Sequence, residues 1–393
     1  MIKLLVCDYI GQSKSWINQF INLDKVEITR TILPSDKNQD ILIASTEWDY
    51  ILVFEQNMRN IFLSLANALT IPQNKVFYAL DLASWSVNLR AAYSILKPRE
   101  EGYNLFHRYL DLNLEQQMSD FITCTTVDGI SYIATSKDRA IMPQMYVFRQ
   151  NFVADEIKAF WQLSNKYYYT NEIEQTRVGG YFLDLGANIG TTCIYFKKKF
   201  DKNLKILAFE PDPTNYMLLK INLMLNHMDN DSIAEKLGLG AENSEQLMHI
   251  NIANPGNNSI YPDSSDLPTE KITIVSLDDY LSKSNITGKE IKYIWIDTEG
   301  FEAQVLLGAK HLITNHSIPI FMEFNPTTWN KTGLYDNMVQ LLKKCYDFYI
   351  HVPDFIKNPT EVVLHPIIEL LNFKNVQAVT GSMNDIFLIK KHN

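Results

Sequence analysis

The chain has 393 residues, of which 46% are hydrophobic and 21% are charged. This is the composition of an ordinary globular protein, and the length predicts two domains or one elaborated domain. The formal net charge of -9 argues against a general nucleic-acid binder, because neutralising phosphates requires clustered lysine and arginine side chains.

Cysteine usage and hydropathy exclude further classes. The four cysteines are far apart and form no C-x-x-C pair, so neither a zinc site nor a disulfide framework is expected. The segment from Met1 to Asp8 predicts a β-strand and not a signal peptide, since its short apolar run ends at once in an acid. No uninterrupted apolar stretch reaches the ~18 residues of a transmembrane helix. We therefore expect a cytoplasmic protein without a membrane span.

Residues 1–98 alternate between strand and helix patterns, which predicts a small α/β domain with a parallel sheet covered on both faces. The expected strands are Ile2–Cys7, Val26–Ile32, Tyr50–Phe54 and Lys75–Leu80, and the expected helices are Ser15–Ile21, Met58–Leu69 and Trp85–Leu96. Gly11 is the only glycine here, so no phosphate-binding glycine loop is present. Recognition, oligomerisation and a degenerate nucleotide-binding fold remain open as its role, and a homo-oligomer is compatible with each.

Residues 99–178 are expected to connect this domain to a larger one over residues 179–393. Lys97–Gly102 is polar and contains proline and glycine, as linkers do. Residues 119–150 predict β-hairpins, with Asp128-Gly129 as the strongest turn signal. Phe152–Tyr168 has the pattern of an amphipathic helix whose aromatic side chains face a core.

A glycine turn follows the predicted strand Tyr181–Leu185. Gly186 and Gly190 stand four residues apart around Asn188, and a helix begins at Thr191. The third glycine of the G-x-G-x-x-G fingerprint is missing, which disfavours a pyrophosphate and favours a ligand with an amino-acid end and a ribose. Asp184 ends the strand and can accept hydrogen bonds from an ammonium or a hydroxyl. A tight turn without a ligand is the alternative.

Glu210 strengthens the ligand interpretation. It ends the next predicted strand, Lys205–Phe209, twenty residues after Gly190. An acid at this tip is placed to accept hydrogen bonds from both hydroxyls of a ribose. A solvated acid at a strand end is the alternative. Further on, Asn254–Ser259 and Pro262–Pro268 predict a long polar loop that could cover an acceptor as a lid.

Carboxylates crowd the ends of two later strands. Asp297, Glu299 and Glu302 follow Ile291–Ile296, and Glu323 follows Ile318–Met322. Because burying unpaired carboxylates is costly, these acids indicate a general base, a metal site or an anchor for polar groups of a substrate. Glu299 and Glu302 could instead be capping charges at a helix N-terminus. A final pair of strands, Gln377–Val379 and Asp385–Ile389, is expected to close the sheet.

Together these residues resemble the FkbM family of S-adenosylmethionine-dependent methyltransferases. The matching segments are Leu183–Gly190, Phe209-Glu210-Pro211, Val275–Tyr280, Ile296–Glu302, Val305–Ala309 and Glu323. The resemblance covers residues 120–393. It implies an α/β fold with a Rossmann-like, seven-stranded class I methyltransferase sheet, preceded by the smaller N-terminal α/β domain.

The resemblance also implies bound S-adenosylmethionine and methylation of a hydroxyl oxygen, typically on a sugar or a secondary metabolite. The implied catalytic residues are Asp297, Glu299 and Glu323. The implied cofactor-binding residues are Asp184, Gly186, Asn188, Gly190 and Glu210. Leu237 and Gly238 are further candidates, for contacts to the adenine, because the turn after the third predicted strand, Ile233–Leu239, usually flanks the adenine in this kind of fold. Many members have a small residue followed by a polar or acidic one where Gly238–Ala241 stands, so the adenine contacts depart from the family pattern. No metal ligands are assigned, although oxygen-rich side chains are compatible with a divalent cation.

Other functions fit the same residues less well. A dinucleotide oxidoreductase would be expected to keep the third glycine. A nucleic-acid methyltransferase would be expected to carry an Asn/Asp-Pro-Pro-aromatic tetrad, which Asn325–Thr328 lacks. A binding protein with a vestigial pocket would not need Asp184 and Glu210 together with the glycine turn. We therefore predict an O-methyltransferase with a glycan or small-molecule acceptor, and a secondary metabolite or a protein is the alternative acceptor.

Overall fold

A computed structural model describes the greater part of the chain as two compact units. The described residues are 1–9, 13–21, 23–24, 26–54, 68–71, 75–78, 121–135, 138, 140–148, 150–169, 179–251, 254–261, 267–374 and 384–390. The first unit comprises residues 1–128 and 135–150, and the second comprises residues 129–134 and 151–393. Within the described residues, no helix is long and apolar enough to cross a membrane.

The elements are numbered in chain order. The described strands are β1 (Ile2–Asp8), β2 (Val26–Ile32), β3 (Tyr50–Phe54), β4 (Val76–Tyr78), β5 (Phe121–Thr125), β6 (Ser131–Thr135), β7 (Tyr181–Leu185), β8 (Lys205–Phe209), β9 (Ser232–Glu235), β10 (Gly238–Leu239), β11 (Ser244–His249), β12 (Thr269–Val275), β13 (Ile291–Ile296), β14 (Ile320–Phe324), β15 (Phe348–His351), β16 (His365–Pro366) and β17 (Asn384–Ile389). The described α-helices are α1 (Ser13–Phe20), α2 (Gln39–Ser45), α3 (Ile141–Phe148), α4 (Ala154–Tyr167), α5 (Thr191–Lys199), α6 (Pro213–Leu225), α7 (Leu277–Lys283), α8 (Glu302–Gly308), α9 (Lys310–Asn315), α10 (Pro326–Lys331), α11 (Tyr335–Cys345) and α12 (Val352–Lys357).

The first unit contains a parallel sheet in the order β2-β1-β3-β4. Strand β1 is almost wholly buried, as expected for a strand at the centre of a parallel sheet. Its Leu5 and Cys7 pack with Ile51 and Val53 of β3. The predicted helix Trp85–Leu96, the linker Lys97–Gly102 and most of the predicted helix Met58–Leu69 lie outside the described residues.

The hairpin predicted around Asp128-Gly129 is present, because β5 and β6 form a two-stranded sheet. Gly129 has a φ of +72°, which glycine adopts at no steric cost. The prediction of further hairpins up to residue 150 is wrong, since Ile141–Phe148 is the helix α3. The carboxylate of Asp138 accepts hydrogen bonds from the backbone N–H groups of Ala140, Ile141 and Met142, and so satisfies donors at the start of that helix.

The second unit is built on a sheet in the order β16-β15-β17-β14-β13-β7-β8-β9. Strands β7, β8, β9, β13 and β14 run parallel, and β17 runs antiparallel between β14 and β15. The sheet has eight strands where seven were expected. The additional strand is β16, a two-residue edge strand that pairs with β15. The predicted strand Gln377–Val379 lies outside the described residues.

The core has an aromatic layer on one face of this sheet. Phe160 of α4 is fully buried, with ring centroids 5.7–6.0 Å from Trp295, Phe321 and Phe387 on three adjacent strands. Trp295 and Phe321 stack with centroids 3.6 Å apart. The amphipathic helix predicted for this region is therefore a core helix, and aromatic packing adds to the area it buries.

A smaller sheet in the order β10-β12-β11 lies beside the main one along the chain. The single strand predicted over Ile233–Leu239 is wrong, because β9 ends at Glu235 in the main sheet and β10 begins at Gly238 in the small one. Gly238 fits tightly against β12, since a Cβ there would lie 2.4 Å from Ile274 Cδ1.

Candidate functional site

The candidate site lies where the chain changes direction across the main sheet. From β7 the chain passes to β8 and β9 on one side, whereas β13 returns to the other side of β7 and is followed by β14. Strands β7 and β13 are adjacent and parallel, so their carboxyl ends border a crevice. Ligands of open α/β sheets bind at such switch points. Asp184, Gly186 and Asp297 all lie at this edge.

The glycine turn is fixed by two neighbouring strands. The backbone N–H groups of Gly186 and Ala187 donate to the carbonyl of Phe209 at 3.1 and 2.9 Å. Gly186 has a φ of +92°, and a Cβ there would lie 1.8 Å from the carbonyl oxygen of Asp297. Gly190 also has a positive φ, at +88°, and is the N-cap of the helix α5. Gly186 is therefore required by the close approach of the Asp297 backbone as well as by its conformation.

Asp184 offers an open acceptor atom inside the protein. Its carboxylate is 1% exposed, and Oδ2 accepts a hydrogen bond from the backbone N–H of Cys193 at 3.2 Å. Oδ1 is buried and has no hydrogen-bond partner. Burial raises the pKa of Asp184 to about 7, and the charge of Asp297 raises it further against the hydrogen bonds from Cys193. An unpaired buried oxygen of this kind indicates a missing donor.

Glu210 organises the turn that it faces. One carboxylate oxygen accepts the backbone N–H of Asn188 at 2.7 Å, and the other accepts that of Asp212 at 2.8 Å. Burial raises the pKa of Glu210 to about 8, assisted by the charge of Asp212. Asn188 has a φ of +48° and a buried side-chain oxygen without a partner. Each Glu210 oxygen keeps a further lone pair for a hydroxyl donor.

The two predicted adenine contacts are less closely tied to this crevice. Leu237 is partly buried and packs against the main core, and Gly238 is buried against Ile274. A Cβ on Gly238 would lie 3.6 Å from Pro211 Cβ, so this residue is near the tip of β8. No described contact joins Leu237 to Asp184 or Glu210.

Glu302 is a structural residue. It is fully buried, and its Oε1 accepts hydrogen bonds from the N–H of Thr298 at 3.1 Å, the hydroxyl of Thr298 at 3.1 Å and the N–H of Gly300 at 2.9 Å. These bonds close the turn that presents Asp297 and Glu299. Glu302 therefore has the structural role at the start of α8 that the capping interpretation predicted. The turn that it closes forms the acidic edge of the crevice.

Glu299 is held by the polar loop predicted as a lid. Its φ of +52° is unusual for a residue with a side chain. The hydroxyl of Ser259 donates to the Glu299 carbonyl at 2.8 Å. When the Asn257 amide is oriented with its nitrogen towards Glu299, that nitrogen donates to the two carboxylate oxygens at 3.1 and 3.3 Å. Burial and the charges of Asp297 and Glu302 raise the pKa of Glu299. Residues 254–261 thus contact the acidic turn, and residues 262–266 lie outside the described chain.

Asp297 and Glu323 come together at the tips of adjacent strands. Ile296 pairs with Met322 in the parallel ladder, so the two acids follow side by side. Burial raises the pKa of both carboxyls, and the Asp297 charge raises that of Glu323 further. Glu323 is 8% exposed, and its Oε2 has no hydrogen-bond partner.

Asp385 is a member of this group that the sequence did not reveal. It pairs directly with Glu323 across the antiparallel ladder of β14 and β17. Burial raises the pKa of Asp385 to about 8, and the charges of Asp297 and Glu156 add to this. The available signal was an acid at the start of a buried apolar run, Asp385–Ile389. The pairing of β17 with β14 gives that acid its position.

No counter-charge is supplied to this acidic edge by the described part of the chain. None of the ion pairs found there involves Asp297, Glu299, Glu302, Glu323 or Asp385. The same described residues contain no group of three or more histidine, cysteine and acidic side chains arranged to hold a metal ion. The crevice therefore combines open acceptor atoms at the glycine turn with raised-pKa carboxyls beside it.

Part of the second unit matches the model of a known protein family. Residues 184–349 match the methyltransferase FkbM domain. Methyltransferase sdnD of Sordaria araneosa is 26% identical over 243 residues, which is 55% of this chain and 85% of that protein. Methyltransferase 1 of Beauveria bassiana is 27% identical over 147 residues, which is 33% of this chain and 57% of that protein, so the match spans little more than half of that relative.

Two of the solved structures that match this chain are also methyltransferases. Methyltransferase FkbM from Methylobacillus flagellatus is 12% identical with a TM-score of 0.36, and the match covers 98% of this chain and 89% of that one. An S-adenosylmethionine-dependent O-methyltransferase from Thermotoga maritima is 12% identical with a TM-score of 0.31, covering 72% of this chain and 82% of that one.

Proposed function

We propose that this chain, whose residues 184–349 match the methyltransferase FkbM domain, transfers a methyl group from S-adenosylmethionine to a hydroxyl oxygen of a sugar. The observation that carries the proposal is the pair of acids, Asp184 and Glu210, that flank the turn from Gly186 to Gly190. In this proposal residues 179–393 form the catalytic domain, and residues 1–98 form a separate α/β domain.

The residues of the turn fit this cofactor. Oδ1 of Asp184 and the side-chain oxygen of Asn188 are buried without partners, and both can accept hydrogen bonds from an ammonium or a hydroxyl. Glu210 lies at the tip of the next strand with lone pairs left for the ribose hydroxyls. The amino-acid end would therefore lie at Asp184 and the ribose at Glu210.

The same geometry disfavours a dinucleotide. The Asp184 carboxylate already accepts the backbone N–H of Cys193 in the first turn of α5. A pyrophosphate would need these free N–H groups and would meet a negative charge in their place. The start of α5 is thus better suited to a cationic group than to a phosphate.

When bound, S-adenosylmethionine supplies a methyl carbon attached to a sulfonium, and its transfer to an oxygen leaves a neutral thioether. Asp297, at the tip of β13 beside the glycine turn, accepts the proton of the attacking hydroxyl on its carboxylate. A carboxylate whose pKa is raised towards neutrality is a better general base than an exposed one. Glu323 and Glu299 assist by accepting hydrogen bonds from neighbouring hydroxyls of the acceptor.

Several adjacent carboxyls support an acceptor that carries several hydroxyl groups, because each carboxyl oxygen can hold one hydroxyl donor. The polar loop that holds Glu299 through Asn257 would cover the acceptor and exclude water. These features support a sugar more than an apolar metabolite. A divalent cation is compatible with the oxygen ligands, but no step requires one.

The test is the substitution Asp297→Asn. We expect the affinity for S-adenosylhomocysteine, measured by calorimetry, to stay within about twofold of wild type, because that product is neutral. Transfer of labelled methyl groups to a panel of glycans should fall by about 100-fold or more, the usual contribution of a general base. Glu290→Gln, at the opposite end of the same strand, is the matched control and should change neither quantity. Retained methyl transfer in Asp297→Asn would show that another group is the base.

A further inference from the structure

Three carboxyls form a row across adjacent strands at the crevice, which we call the acidic row: Asp297, Glu323 and Asp385. Asp297 follows the last residue of β13, Glu323 lies on β14 beside it, and Asp385 lies opposite Glu323 on β17. Neighbouring strands are ~4.8 Å apart, so the three side chains are close enough to interact strongly. The row begins at the glycine turn, because Asp297 donates its backbone N–H to the carbonyl of Leu185 at 3.0 Å.

The acidic row is a costly arrangement in the protein alone. Like charges directly opposite each other in an antiparallel pair are destabilising, and Glu323 and Asp385 are such a pair. Glu323 is only 8% exposed, and its buried Oε2 has neither a hydrogen-bond partner nor access to solvent. No described lysine, arginine or histidine forms an ion pair with any of the three acids. The row therefore lacks a cation that would compensate it.

Glu302 shows what a structural acid looks like in the same place. Its Oε1 accepts three hydrogen bonds from the turn at Thr298 and Gly300. The side chains of Asp297, Glu323 and Asp385 have no comparable set of donors among the described residues. Oε2 of Glu302 is buried without a partner, as Oε2 of Glu323 is, but only Glu302 has its other oxygen held by donors of the turn. A structural role therefore accounts for Glu302 but leaves the acidic row unexplained.

A directly coordinated metal ion is not favoured as the missing cation. Coordination requires several oxygen atoms within ~2.0–2.6 Å of one point, and the described residues contain no acidic group arranged in this way. Electrostatic attraction to a larger cation acts at longer range and needs no such convergence. The position next to the proposed donor pocket points to the cation of the methyl donor itself.

We propose that Asp385, together with Glu323 and Asp297, supplies the counter-charge for the sulfonium of the methyl donor, so that the site favours the charged donor over the neutral demethylated product. This inference rests on the proposed function, and it adds Asp385 to the residues that determine specificity. Its consequence is that methyl transfer removes the charge that the row attracts, which weakens retention of the spent cofactor.

Binding of the charged donor at the acidic row should also depend on how many protons its carboxyls carry. Burial raises the pKa values of its three carboxyls, so part of the row carries protons near neutral pH. The other titratable groups that face it are Asp184 on β7, Glu299 and Glu302 on the turn after β13, and Glu156 on α4. A cation favours the ionised carboxyls, so its binding releases protons. Affinity for the charged donor should therefore rise between about pH 6 and 8, while that for the neutral product changes much less.

The experiment measures the affinities of S-adenosylmethionine and S-adenosylhomocysteine by calorimetry at pH 8, in wild type and in Asp385→Asn. The two ligands share every group except the methyl and the charge. We expect the ratio of donor affinity to product affinity to fall about tenfold in Asp385→Asn, as one unit charge at a separation of ~8 Å with partial screening implies. The affinity for the product should stay within about twofold.

Further variants keep the result interpretable. Glu323→Gln should lower the same ratio, and Glu290→Gln, which removes an acid from the opposite edge of the sheet, should leave it unchanged. Asp385→Asn should melt at or above the wild-type temperature, because it relieves like-charge repulsion. An unchanged ratio in both Asp385→Asn and Glu323→Gln, with the product still bound, would overturn the inference. Failure of wild type to bind either ligand would instead overturn the proposed function.

Discussion

Gly186 gives the sharpest structural prediction, because two separate costs meet at this residue. Its φ of +92° is strained for any residue with a Cβ, at a cost of ~1–2 kcal/mol. A Cβ would also lie 1.8 Å from the carbonyl oxygen of Asp297. An ordinary contact is ~3.4 Å, so the backbones of the turn and of β13 would have to separate by ~1.5 Å.

Such a separation disturbs the ladder next to the site. The N–H of Asp297 donates to the carbonyl of Leu185 at 3.0 Å, and losing that bond costs a further ~0.5–1.5 kcal/mol. Alanine lowers the entropy of the unfolded chain and recovers ~0.4–1 kcal/mol. For Gly186→Ala we therefore expect the free energy of unfolding to fall by about 1–3 kcal/mol.

Substitutions at two other glycines separate the cost of the strained backbone conformation from the cost of the steric clash. Gly333 has a φ of +70°, and no atom lies within 4 Å of the position that a Cβ would take there, so Gly333→Ala should cost only the conformational strain, ~1 kcal/mol. Gly308 lies in α8, and a Cβ there would lie 1.9 Å from the carbonyl oxygen of Gly240, so Gly308→Ala has the clash without the strain. Urea unfolding followed by circular dichroism measures the free energy of unfolding of all three variants. If Gly186→Ala were no more destabilising than Gly333→Ala, the close approach of Asp297 would be refuted.

Two further predictions concern stability. Folding raises the pKa values of Asp184 and Glu210 to about 7 and about 8, so the folded state binds more protons than the unfolded state. The free energy of unfolding should therefore fall as the pH rises from about 5 to 8, by at most ~1.4 kcal/mol per pH unit for each group. Urea midpoints across this range test this, and a midpoint that rises steadily towards pH 8 would contradict it. Asn222→Ala should destabilise the second unit by ~3–5 kcal/mol, because the buried amide bonds both N–H and C=O of Ile133 and the carbonyl of Ile189. A loss below ~1 kcal/mol by thermal or urea unfolding would count against that network.

The acids at the strand tips could be predicted because their signal is local. Asp184, Glu210 and Asp297 each follow a short, continuous apolar run, and such runs are typical of buried parallel strands. The carboxyl ends of parallel strands share one edge of a sheet, so the three side chains were expected near one crevice without knowledge of the strand order.

Other features depend on contacts that are distant in sequence. Asp385 acquires its position only when β17 inserts antiparallel between β14 and β15, and an apolar run does not specify its partner strand. The role of Glu302 depends on the turn geometry at Gly300, which the acidic pattern alone does not distinguish from an active-site acid. The helix Ile141–Phe148 differs from the predicted hairpins because Asp138 caps its start, and the apolar pattern of this segment does not indicate that cap.

The pocket between Asp184 and Glu210 is the central element of the proposed function, and calorimetry with the wild-type chain tests it most directly. S-adenosylhomocysteine should bind with a dissociation constant of about 1–100 µM, and NAD should give no measurable binding at the same concentrations. Binding of NAD without binding of S-adenosylhomocysteine would contradict the assignment of this pocket to a methyl donor.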